Sequence, residues 1–208
     1  MTDLISAFFD ASLNQAPNKM KSTKQTTDQT GFTLIELVIV ITIIGVLAAA
    51  ALPRFIALQR DARIAKLNAA RGSVGAAAAL GHAAILTRNG LADPAACAGG
   101  ATANNLPGAA GTVCTENGLI ATAFGYPAST AIPAPGNPGI VAAAGLSTVF
   151  NPTLQNLLDE GYSATLSGND TIFQVQGAPN MATCQFTYTQ AASATVPAVI
   201  SVVTTTGC

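Results

Sequence analysis

The 208-residue chain has no Trp, a single His and few charges, since only 9 % of its residues are Asp, Glu, Lys or Arg. So sparse a charge is unlike an ordinary water-exposed enzyme surface. Nine basic residues against ten acidic ones give a net charge of −1, which leaves no basic stripe for nucleic acid. The lone His82 has no second His, Cys or Ser–Asp pair placed to work with it, so it reads as a surface or packing residue. No catalytic, cofactor or metal residues are assigned. Aromatics are scarce too: from residue 32 to residue 123 the only ones are Phe32 and Phe55, more than about 30 Å apart along a helix, which excludes a path of stacked rings. Half the residues are hydrophobic, far too many for a disordered chain, and the length suits one domain.

The apolar residues are concentrated. Phe32 to Leu52 reads FTLIELVIVITIIGVLAAAAL, 21 residues with Glu36 as the only charge, closed by Pro53 and Arg54. At about 1.5 Å per residue this crosses a hydrocarbon core of about 30 Å. It is longer than the apolar part of a cleavable secretory signal. Lys19, Lys21 and Lys24 precede it and place the N-terminal side in the cytoplasm. Residues 1–31 form a leader, and Met20, followed at once by Lys21, offers an alternative translation start. Glu36 needs compensation in an apolar setting. It either snorkels or is protonated in a simple anchor, or it pairs with a new α-amino group at Phe32 after a cut between Gly31 and Phe32.

The stretch GFTLIELVIVITIIGVLAAAALPRF resembles the processing and assembly segment of the type IV pilins and their pseudopilin relatives. The match comprises Gly31 before the cut, Phe32 as the new N-terminus, Glu36 four residues on, the interior Gly45, and Pro53 followed by a basic residue. The resemblance implies cleavage after Gly31 and methylation of the Phe32 amine by a prepilin peptidase. It further implies subunit assembly through Phe32 and Glu36. The implied fold class is α+β: the type IV pilin fold, a long N-terminal helix with a transmembrane first half, packed on a C-terminal antiparallel sheet.

Residues 32–53 are the transmembrane and filament-core half of that helix. Residues 54–86 are its amphipathic half, with apolar positions at Ile56, Ile64, Leu67, Ala70, Val74, Ala77 or Ala78, and Ile85. Pro53 removes one helical hydrogen bond, and runs of Ala at 48–51 and 76–79 permit close helix packing. Residues 87–138 read as a loop region, rich in Gly, Pro and Asn, holding a first disulfide. In 139–208, strands are expected at 139–141 running into 149–150, then at 164–166, 171–175, 184–189 and 199–204, with a short helix over 152–160. Four cysteines suit an oxidising compartment and allow three pairings. Sequence proximity and the strand pattern favour Cys97 with Cys114 and Cys184 with Cys208. The segments CQFTYTQ…AVISVVTTTGC and PRFIALQRDAR resemble the mannose-sensitive haemagglutinin type of pilin. SGNDT at 167–171 has one carboxylate, Asp170, and reads as a tight turn in preference to a calcium loop.

The function implied by the resemblance is that of a structural subunit, not an enzyme. It would polymerise with itself into a helical pilus used for adhesion or surface attachment. Its partners would be the prepilin peptidase, the inner-membrane assembly machinery and, before assembly, the membrane. It would sit in the inner membrane as a single pass with a cytoplasmic N-terminus, then in an extracellular pilus. A pseudopilin of a type II secretion system and a minor or tip pilin share the same N-terminal segment and are the alternatives.

Overall fold

The computed structural model describes residues 32–98 and 101–208, so the expected leader, the Met20 start and Gly31 lie outside the described residues. The described residues divide inside the first helix into two units, one ending at Leu47 and the other spanning residues 48–208. That helix, α1, runs Leu34–Arg88 with Pro53 inside it. In the first unit every described residue is exposed, including a dense series of Leu, Ile and Val side chains. A helix apolar all round and left exposed by the described residues suits lipid or the company of other helices.

In the second unit α1 buries one face. Leu67, Ala70, Val74, Ala78, Gly81 and Ile85 recur at gaps of three or four and are buried. Completely burying a Leu such as Leu67 contributes about 1.5–3 kcal/mol. Ile56, expected on this face, is 59 % exposed, because the packed face begins at Ile64.

Against that face stands a four-stranded antiparallel sheet of β4 (Tyr162–Ser167), β5 (Asp170–Val175), β6 (Gln185–Thr189) and β7 (Val199–Ile200), paired in that order. Strict alternation in β5 and β6 sends Phe173, Val175, Phe186 and Tyr188 inward, where Phe173 stacks on Phe186 at 4.9 Å between centroids. The expected strand at 199–204 keeps only two ladder residues, and Thr204 rejoins Gln185 by an isolated bridge.

The loop reading of 87–138 needs correction. That region contains a second antiparallel sheet, β1 (Gly111–Thr115), β2 (Gly118–Ala123) and β3 (Tyr126–Pro127). Its strands are short and joined by two-residue turns, so the Gly and Asn punctuation masked the apolar positions Val113, Leu119 and Ile120. The strand expected at 139–141 is also corrected. Helix α2 (Ile140–Ala143) stands there because the Gly139 N–H donates to Thr130 Oγ1 and the Ile140 N–H to the Ala128 carbonyl, tying the segment beside β3. Val149 and Phe150 form no strand, and Phe150 instead packs beside Leu119 and Cys114. Helix α3 (Leu154–Asp159) begins at Thr153, whose hydroxyl accepts from the Asn156 N–H while Asn156 accepts from the Thr153 N–H.

Candidate processing and assembly site

Phe32 is 92 % exposed at the head of the apolar helix, and Thr33 caps that helix. The Glu36 N–H donates to Thr33 Oγ1 at 3.3 Å, while Glu36 Oε2 accepts from the Thr33 N–H at 2.9 Å and from the Thr33 hydroxyl at 2.8 Å. This is a capping box, Thr-x-x-Glu, in which two end-of-helix donors are satisfied reciprocally. In lipid, where water cannot solvate those donors, the same pairing matters more. The structure therefore links Glu36 first to Thr33. Among the described residues no hydrogen bond reaches Glu36 Oε1, which stays open to a cation. In an uncut chain the Phe32 nitrogen is a neutral amide, so only cleavage before Phe32 could provide that cation locally. Thr33 was missed in reading the sequence for chemistry, although Thr-x-x-Glu directly before an apolar run is a legible signal.

Beyond Pro53 four of the helix cations serve backbone oxygens. Arg60 donates to Thr205 O at 3.3 Å, Arg63 to Cys208 O at 2.9 Å, Lys66 to Glu160 O at 2.5 Å and Arg71 to Ser201 O at 2.8 Å. Lys66 also lies 4.5 Å from the Tyr162 ring centre. These contacts pin the sheet and its C-terminal loop to α1. At the far end of the helix, Arg88 Nη1 pairs with Asp93 at 3.1 Å and reaches Asn105 Oδ1 at 3.3 Å. The Asn105 amide donates to Leu91 O and to Asp93 Oδ1, both at 2.8 Å.

Cys97 is bonded to Cys114 and Cys184 to Cys208. Asp93 stands beside the first pair, but both sulfurs are committed to each other and hold no thiolate for a metal. His82 stacks on Tyr126 with ring centres 3.9 Å apart and turns Nδ1 toward the Gly125 carbonyl. Asp170 lies at the β4–β5 hairpin, where Gly168 takes the left-handed conformation of a tight turn and Thr189 donates to the carboxylate at 2.6 Å. Burial raises the Tyr188 phenol well above its ordinary pKa, with Tyr126 adding to the effect; its hydroxyl donates to the Pro127 carbonyl at 2.6 Å.

Residues 26–52 match the model of the prokaryotic N-terminal methylation motif. In its N-terminal segment the chain is similar to the type IV pilins. The chain is 52 % identical over 50 residues to the type IV narrow pilus major component PilA5 of Thermus thermophilus. That alignment covers 24 % of the chain and 43 % of the relative, so the chain spans less than half of the relative's length. No solved structure matches the chain. The long apolar helix followed by antiparallel sheets is the α+β layout expected of the family.

Proposed function

We propose that the chain is a structural subunit that polymerises through α1 into a type IV pilus serving adhesion or surface attachment. The observation that carries this reading is a methylation motif running directly into an apolar helix whose residues 34–47 are exposed among the described residues. A prepilin peptidase cuts between Gly31 and Phe32 and methylates the new amine. The subunit waits in the inner membrane, anchored by residues 32–53 with its N-terminus on the cytoplasmic side, until the assembly machinery extracts it.

Glu36 then selects the register. Thr33 holds one carboxylate oxygen, and the other accepts the Phe32 amine of an incoming subunit. In water two such charges attract by only about 1 kcal/mol at 4 Å; exclusion of water strengthens the attraction, and leaving either charge unpaired there is costly. Thus a misplaced subunit is penalised and a correctly placed one held. Glu36→Gln keeps the Thr33 contact and removes the charge. The expected outcome is normal leader cleavage with loss of surface filaments, read by immunoblot of membrane and sheared fractions. Normal piliation of this variant would contradict the register mechanism.

A further inference from the structure

The cations of the second unit divide unevenly. Arg60, Arg63, Lys66 and Arg71 donate to carbonyls of their own chain and Arg88 pairs with Asp93, whereas Arg54 has no hydrogen bond or ion pair among the described residues. Asp61 is likewise without a partner among them, and both residues are exposed. Seven residues apart on α1, they share one face two turns apart, with the exposed Leu58 between them. The rise of about 10 Å separates them too far to pair as helix neighbours at three or four residues do. Farther along this face lie Ala65, Asn68, Gly72, Ala76 and Ala79, all exposed and mostly small enough for another helix to approach closely.

We propose that this face is an interface between copies of the chain, in which Arg54 of one subunit pairs with Asp61 of the next. The inference rests on the pilin reading and deepens it, because it names a second charge pair that fixes subunit register. The directions agree. Phe32 precedes Glu36 by four residues and Arg54 precedes Asp61 by seven, the cation nearer the N-terminus in each case. Two parallel copies displaced by about 6 Å set Phe32 level with Glu36, and a displacement of about 10 Å sets Arg54 level with Asp61. Each pair, along its own stretch of helix, therefore calls for a shift of the same sense, and a shift in the opposite sense satisfies neither. The Phe32–Glu36 pair operates at membrane depth and the Arg54–Asp61 pair beyond it, so the second tests orientation after the first has engaged.

Charge exchange tests the pair in cells making the full-length chain. Arg54→Glu and Asp61→Arg each set like charges opposite one another and are expected to lower sheared fibre by roughly tenfold or more. The combination Arg54→Glu with Asp61→Arg restores fibre to within about twofold of the wild type, since the pair is re-formed with its signs reversed. Formation of the Cys97–Cys114 and Cys184–Cys208 disulfides in each membrane-held variant monitors folding independently. As a second measurement, Arg54→Cys combined with Asp61→Cys gives oxidant-dependent subunit ladders from fibres, while each single substitution does not. Single exchanges that leave fibre at the wild-type level, or a combination no better than its singles, would overturn the pair and leave the pilin reading intact. Absence of the chain from wild-type fibres would overturn both.

Discussion

Tyr188 shows how one residue joins the two sheets. It lies in β6, is fully buried, and donates its hydroxyl across to Pro127 in β3. Tyr188→Phe leaves a buried carbonyl without that partner and is expected to cost about 1–3 kcal/mol at neutral pH, read as a lower urea midpoint. The pH dependence has a definite sign. The phenol's pKa is raised in the folded chain, so the stability linked to it is complete below the unfolded value of about 10 and is lost as pH rises beyond that. Removing the hydroxyl should therefore flatten the alkaline loss that the wild type shows; an identical alkaline profile in the variant would contradict this assignment. Single residues were legible in the sequence where a local pattern marked them. Glu36 stood out as a charge in an apolar run, and Thr33 was legible by the same kind of rule though overlooked. Asn105 was not legible. It reads as a loop Asn, yet it is buried, in the left-handed region at φ 50, and bonded to Asp93, Leu91 and Arg88, partners 12 to 17 residues away that only tertiary structure assembles.

Among the elements, the long helix and the strands around Phe173 and Phe186 were readable because their periods of about 3.6 and 2 persist over many residues. The first sheet was hidden because β1 and β2 are joined by Glu116-Asn117 and β2 and β3 by Phe124-Gly125, so turn residues interrupt the pattern every few positions. Phe124 is an unexpected turn residue, with φ 49, where Asn, Asp or Gly is the usual choice. The end of the second sheet depends instead on a covalent tie. Its last strand has two residues, and Cys208 returns to Cys184 across a sequence separation of 24. Gly207 fits closely there, with the Asn180 carbonyl and Thr183 hydroxyl occupying the space that a Cβ would take. Replacing both Cys184 and Cys208 by Ala should cost roughly 3 kcal/mol through the freed unfolded chain. Urea unfolding of the detergent-solubilised full chain checks the value, and an unchanged midpoint would show that the short strand and the helix cations hold the loop unaided.

For the whole molecule, an exposed apolar helical segment and a folded α+β unit impose different environments on one chain. The exposed Leu, Ile and Val series of residues 34–47 requires lipid or other helices, while the second unit buries its own core and carries two disulfides that suit an oxidising compartment. On the proposed reading, membrane storage followed by packing of helix on helix outside the cell would reconcile them, with Phe32, Glu36, Arg54 and Asp61 supplying register. The most direct test is an intact mass with disulfide mapping of protein sheared from the cell surface. The account predicts a species beginning at N-methylated Phe32, with Cys97 bonded to Cys114 and Cys184 to Cys208. A processed chain found only in the inner membrane would contradict the pilus reading and favour a pseudopilin, and a surface species still carrying residues 1–31 would contradict the processing on which the whole account depends.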